Sequence, residues 1–189
     1  MLSHSKEIVI LLTCSAFYLI AAFEEFSDIN EIDELQGVNR PSPYRIPGTK
    51  WCGVGSIAKH YHQLGRFHEV DKCCRDHDFC DSMDRGQAKN GLKNTFMIAK
   101  LHCKCDKEFR DCLQRINTKL ANTIGRLYFS IQDKCYREAH PIMSCQKKTK
   151  SWARSRCTKY QMDDSQPVRY QWFDLPFYFE PAECDAFKE

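Results

Sequence analysis

CCRDHDFC, residues 73–80, sets His77 between two aspartates and fences the group with three cysteines. Two chemistries suit such a cluster: a zinc site, or a helix pinned by disulfides that carries a catalytic histidine. They require opposite redox compartments, because thiolate ligands persist in reducing surroundings and disulfides in oxidising ones. The start of the chain discriminates between them. Lys6 precedes an uncharged apolar run from Ile8 to Ala22, with small residues Ala21 and Ala22 where a signal peptidase would cut. A run of about 15 residues falls short of the roughly 20 needed to span a bilayer. Residues 1–22 therefore read as a signal peptide, and the expected location is secreted and extracellular. Loss of Cys14 with that leader leaves 11 of the 12 cysteines. Such a density in an exported chain reads as a disulfide framework, and the zinc reading is set aside.

The next stretch carries six acids, Glu24 to Glu34, before its first base at Arg40, and it has no cysteine and little apolar periodicity. Residues 23–45 read as a disordered acidic propeptide, cut after Arg40 or Arg45. Residues 46–175 then form one domain, with 176–189 as a C-terminal tail. This domain is more basic than the +3 of the whole chain, as suits an anionic partner such as lipid headgroups.

Cysteine spacing supplies the architecture. Cys73 and Cys80 lie two helical turns apart, as do Cys105 and Cys112, so each pair shares one helix face. An antiparallel register joins Cys73 to Cys112 and Cys80 to Cys105, and both pairs have the same positional sum. A parallel pairing, Cys73 to Cys105 and Cys80 to Cys112, has equal arithmetic but needs a longer return connection. The loop from Met83 to Asn94, broken by Gly86 and Gly91, favours the antiparallel hairpin. In that register His77 and Asp106 are offset by only ~3 Å along the axis and meet across the seam. Cys74 and Cys103 point off the seam. We assign Cys74 to Cys52 and Cys103 to Cys135, which leaves Cys145 for Cys157 and Cys184 without a mate. A His–Asp couple on two rigid helices fixes an imidazole's tautomer and orientation, as a general base requires.

Upstream, PGTKWCGVGS (47–56) places Gly53 and Gly55 on either side of Val54. Alternating glycines let a backbone turn its carbonyls inward around a small hard cation, and Asp78 could add a carboxylate. Oxygen donors of this kind point to calcium.

These segments, together with CKCDKEFRDCL, RLYFSIQDKCY and YQWFDL, resemble the secreted group III phospholipases A2, the bee-venom type, from about Ile46 to Leu175. The resemblance implies a mainly α, disulfide-rich fold: two antiparallel helices clasped by disulfides, a calcium loop, a small β element and a C-terminal extension. It also implies the disulfide pairs assigned above. By the same resemblance, the carbonyls of Trp51, Gly53 and Gly55 and the carboxylate of Asp78 hold one calcium ion. His77 is then the general base, Asp106 its orienting partner, and Tyr128 a support of the same network. The implied activity is calcium-dependent hydrolysis of the sn-2 ester of glycerophospholipids at a membrane or micelle surface. Ser56 departs from the bee-venom form, which has asparagine after the second glycine.

A second function class keeps this scaffold as a toxin or receptor-binding protein in which catalysis is incidental. His77, Asp78, Asp106 and both loop glycines are all present, so nothing suggests a dead site. Ile46, Arg66 and Phe67 are the candidate membrane-interface residues. KKTK, 147–150, reads as a solvated loop, and no nucleic-acid partner is expected. The odd Cys184 is a candidate for a disulfide-linked partner.

Overall fold

The computed structural model describes residues 45–151 and 154–179; the expected leader, residues 23–44 and Cys184 lie outside them. Arg45, the last residue assigned to the propeptide, pairs with Gly53 in an isolated antiparallel bridge. In chain order the elements are α1 (His68–Asp78), β1 (Ser82–Met83), β2 (Ala88–Lys89), β3 (Leu92–Lys93), β4 (Lys100–Leu101), α2 (Cys103–Ile116), α3 (Lys119–Ile131), β5 (Lys134–Ala139), β6 (Ile142–Lys150), β7 (Ser155–Met162) and β8 (Arg169–Asp174).

The expected mainly α fold is incorrect. Helix takes 29% and strand about 30% of the described residues, so the chain is a mixed α and β structure. The strands pair as four two-stranded antiparallel sheets: β1 with β4, β2 with β3, β5 with β8, and β6 with β7. The segment 147–150, expected as a loop, is the end of β6. Its strand character is hidden because a ribbon with one solvated face fills that face with lysine, and the period-2 hydrophobic signal disappears.

Disulfides Cys73–Cys112 and Cys80–Cys105 join α1 to α2 in antiparallel register, each with Cα atoms 5.9 Å apart. Cys52–Cys74 ties the N-terminal loop to α1, Cys103–Cys135 ties α2 to β5, and Cys145–Cys157 rivets β6 to β7. Helix α2 stops at Asn117, which adopts the left-handed conformation and donates its N–H back to Leu113 O. Thr118 then caps α3 by accepting from Ala121 N, so the chain reverses over two residues.

The turn from α2 to α3 lays Phe109 and Leu113 against Leu120, Ile124 and Phe129, and β8 closes this core with Phe173. Full burial of such side chains is worth about 1.5–3 kcal/mol each. Packing continues past residue 175: Tyr178 is buried and stacks on Phe129, and its carbonyl accepts from Gln114 Nε2. The buried Arg156 guanidinium holds the same segment by donating to the carbonyls of Phe129, Leu175 and Pro176.

Candidate active site

The loop before α1 is held by a residue that the sequence reading passed over. Asp71 on α1 is fully buried, and its carboxylate accepts from the backbone N–H groups of Lys50, Trp51 and Gly65 at 2.8–3.0 Å. Asp71, Cys74 and Asp78 share one face of α1 through their helical spacing. Asp71 clamps the loop and Cys74 bonds to it covalently, and helical spacing puts Asp78 on the same side of α1.

The loop's carbonyls alternate. Lys50 O accepts from Ile57 N and Ser56 Oγ, and Cys52 O accepts from Ile46 N. Among the described residues no donor reaches the carbonyls of Trp51, Gly53 or Gly55. Gly53 has φ 122° and Gly55 φ 71°, angles that glycine adopts freely and that reverse the direction of successive carbonyls. Asp78 likewise has no hydrogen bond or ion pair among the described residues. Burial pushes its carboxyl up to about 6, against a smaller lowering by nearby His77 and a raising by Asp71. One side of Asp78 remains open to solvent while neighbouring atoms crowd the other, which is how a carboxylate at the surface is still desolvated. Three unclaimed carbonyls and a carboxylate short of partners fit a hard divalent cation such as calcium. Among the described residues no group of three His, Cys, Asp or Glu side chains gathers as a metal centre, so a metal here must take backbone oxygens.

Across the helix seam, His77 Nε2 lies 3.2 Å from Asp106 Oδ1, and Tyr128 Oη lies 3.2 Å from the same nitrogen. Tyr128 donates to Asp106 Oδ1 at 2.6 Å. Burial, then the charge of Asp106, raises the Tyr128 phenol well above its ordinary range, so it remains a donor. Asp106 is fully buried and His77 is nearly so. The imidazole stacks on Phe109 with ring centroids 4.3 Å apart and meets Tyr128 edge-on. Because Nε2 is the nitrogen facing the carboxylate, the tautomer favoured here carries its proton on Nε2 and leaves Nδ1 as an acceptor. Asp106 Oδ2 is buried without a partner, so the His77 and Tyr128 contacts are concentrated on one carboxylate oxygen.

His77 also lines a cavity of about 260 Å³ between α1 and α2, while Asp106 lines another of about 390 Å³ towards the strands. Neither includes the loop glycines or Asp78, and on the loop side residues 53–57 and Asp78 are exposed. That side is apolar. Phe79 packs on Trp51 and Tyr61 at 5.7 and 5.3 Å, yet is itself 64% exposed, and Tyr61 and the loop residues Val54 and Ile57 are exposed too. Of the expected interface residues, Ile46 and Phe67 are partly buried and pack against the core, whereas Arg66 is exposed with its guanidinium 5.7 Å from the Phe67 ring.

Comparison with known proteins gives the same direction. A family model described as "Phospholipase A2" matches residues 45–139. A "Phospholipase A2" of Apis cerana cerana is 44% identical over 135 residues, covering 70% of this chain and 98% of that protein. One from Xylocopa appendiculata circumvolans is 39% identical over 158 residues, covering 82% and 84%. An "Acidic phospholipase A2 PA4" of Heloderma suspectum is 42% identical over 87 residues, covering 46% and 61%.

Proposed function

The chain belongs to the phospholipase A2 family, and on that premise we propose that it is a calcium-dependent enzyme that hydrolyses the sn-2 ester of glycerophospholipids at a membrane surface. The observation that carries the reading is the His77 imidazole with Nε2 turned to Asp106 and Tyr128 and Nδ1 left for a water molecule. His77 Nδ1 takes a proton from that water as the water oxygen attacks the sn-2 carbonyl carbon. Asp106 holds the imidazolium so formed, and Tyr128 holds Asp106. The imidazolium then returns the proton to the glycerol oxygen as the acyl C–O bond breaks, releasing a fatty acid and a lysophospholipid. Calcium, held by the carbonyls of Trp51, Gly53 and Gly55 and the carboxylate of Asp78, would supply the positive charge that positions the lipid phosphate and stabilises the oxyanion. The Gly53 N–H, claimed by no acceptor among the described residues, adds a donor on that side.

The lipid surface is met by the exposed Val54, Ile57, Tyr61 and Phe79, whose apolar groups enter the headgroup region, while Arg75, ion-paired with Asp76, stacks 4.1 Å over the Tyr61 ring and holds it in place. The apolar run at residues 8–22 and five disulfides support secretion. No helix among the described residues is long and apolar enough to cross a membrane.

The test is fatty-acid release from phosphatidylcholine vesicles by wild type and His77→Gln, each with calcium and with chelator. The substituted amide keeps a donor towards Asp106, so the fold should persist while turnover falls by ~10²–10⁴. Near-normal turnover of His77→Gln would refute the base assignment, and full wild-type turnover in chelator would refute the calcium dependence.

A further inference from the structure

Strand β4 buries an ammonium that this chemistry leaves unused. Lys100 is 1% exposed, and Gln132, which caps the C-terminal end of α3, is 2% exposed. Lys100 Nζ donates to Gln132 Oε1 at 2.7 Å and to Asp133 Oδ1 at 2.8 Å, and it lies 4.6 Å from the centroid of the Phe96 ring. Taking an ammonium out of water is costly unless it is paired and hydrogen-bonded. Asp133 serves as the counter-ion. The bond to Gln132 does something further, because it fixes which way round the amide sits.

An ammonium can only donate, so the amide atom facing Lys100 is the oxygen, and the amide nitrogen is turned to the other side. There Gln132 Nε2 donates to Ala99 O at 2.9 Å and reaches Tyr128 Oη at 3.5 Å, the long end of the hydrogen-bond range. Those two contacts use both amide protons. Gln132 follows Tyr128 by one helical turn, and its backbone N–H donates to Tyr128 O at 2.8 Å, so the two side chains share one face at the end of α3.

The order of protons then propagates towards the base. With an amide donor behind it, the Tyr128 oxygen accepts from Gln132 and sends its own proton forward to Asp106 Oδ1, 2.6 Å away. The same carboxylate oxygen faces His77 Nε2 at 3.2 Å. Were the amide reversed, the phenol would stand between two acceptors and could donate to either. A phenol proton turned to the amide would leave Asp106 facing a lone pair. The chain therefore runs from a donor-only cation to an acceptor-only carboxylate, and the Lys100 contact selects its direction.

We propose that Lys100 and Gln132 are positioning residues for the hydrolysis: the Lys100 ammonium orients the Gln132 amide, and the amide holds the Tyr128 hydroxyl as a donor to Asp106, which holds His77 with Nδ1 free. Both act through Tyr128, and neither meets the lipid. This rests on His77 as the base. Gln132→Glu is the discriminating variant, because it keeps an acceptor for Lys100 and has no donor for Tyr128. Initial rates of fatty-acid release from phosphatidylcholine vesicles are measured over lipid and calcium concentration for wild type, Gln132→Glu, Lys100→Met, Tyr128→Phe and the two double variants with Tyr128→Phe. His77→Gln is the control, and urea titration verifies that each protein is folded in the assay. Gln132→Glu and Lys100→Met should each lower kcat about 3–10-fold, the worth of one hydrogen bond, with KM and the calcium requirement unchanged. Each double variant should have the kcat of Tyr128→Phe within about twofold, because the effect passes through the phenol. A purely structural role would instead multiply the two losses. Should Lys100→Met fail to fold, the cycle of Gln132→Glu with Tyr128→Phe decides alone. Wild-type kcat in Gln132→Glu, or losses that multiply in its double variant, would overturn the proposal. Near-normal turnover of His77→Gln would refute the base assignment itself, whereas its loss beside an unimpaired Gln132→Glu would refute only the positioning.

Discussion

Asp71→Asn is the substitution that tests how the proposed cation site is built. The Asp71 carboxylate is fully buried and accepts from Lys50 N and Trp51 N on Oδ1, and from Lys50 N and Gly65 N on Oδ2. An amide in its place keeps one accepting oxygen but turns an NH₂ group towards Lys50 or Gly65, so donor faces donor. A hydrogen bond to a charged group is worth about 1.5–3 kcal/mol, so losing one and weakening the others amounts to about 3 kcal/mol. The Cys52–Cys74 disulfide keeps the loop attached to α1, so the cost appears as local undocking of the loop while the helix pair stays intact. If the docked loop is only marginally favoured, 3 kcal/mol lowers the binding-competent fraction by up to ~10²-fold, and apparent calcium affinity falls by the same factor. Removing the negative charge of Asp71 also relieves a small rise on the Asp78 carboxyl. This acts in the opposite sense but is the least of the causes there. The expected outcome is a calcium requirement for fatty-acid release that rises ~10–100-fold, with turnover at saturating calcium within a few-fold of wild type, because His77 and Asp106 lie on a different face of the helices. Calcium titration of initial rates, with melting curves in calcium and in chelator, reads both quantities. An Asp71→Asn enzyme with an unchanged calcium requirement, or one whose turnover is lost at every calcium level, would refute the reasoning.

Two further outcomes follow from the same geometry. Tyr128→Phe removes the 2.6 Å donor to Asp106 Oδ1 but leaves His77 in place; turnover should fall by about tenfold or less, below the ~10²–10⁴ of the base itself, with about 1 kcal/mol of stability lost in urea titration, and a loss as large as that of His77→Gln would mean that the phenol takes part in the proton transfer. The Asp78 carboxyl is raised from 3.8 to about 6, first by burial, so the folded protein holds this proton more tightly than the unfolded chain does: the associated stability is fully present below pH 3.8 and is lost as pH rises through about 6. Calcium needs the ionised form, so calcium affinity should fall as pH drops below about 6, and the rise in melting temperature on adding calcium should grow between pH 5 and 7; a calcium-induced rise independent of pH over that range would exclude Asp78 as a ligand.

The parts of this molecule that are legible in its sequence are those written in covalent spacing. Two cysteine pairs at the same seven-residue interval define one helix face each, and once the short connection from Met83 to Asn94 selects the antiparallel pairing over the parallel one, the seam with its His77–Asp106 contact at 3.2 Å follows. The β half lacks any such ruler. Strands β6 and β7 bury little and carry lysine on the outer face, so the sequence there looks like solvated loop, although Cys145 and Cys157 already tie it together. The hairpin of β2 and β3 does carry a local signal, Asn90–Gly91 with φ 53° and 75°, the two-residue turn that favours tight strand reversal; with strands of only two residues each, it has no alternation to set it apart from a loop. Asp71 is invisible for a different reason. Its partners are backbone amides, and an amide has no side-chain identity, so a carboxylate that binds Lys50, Trp51 and Gly65 through their N–H groups leaves no pairing to find in the residue letters. Backbone-directed contacts also form the proposed calcium site, three of whose four ligands are carbonyls. The groups that bond and orient the His77–Asp106 pair can therefore be read from side chains, while the groups that would build the proposed cation site become visible only once the loop has a conformation.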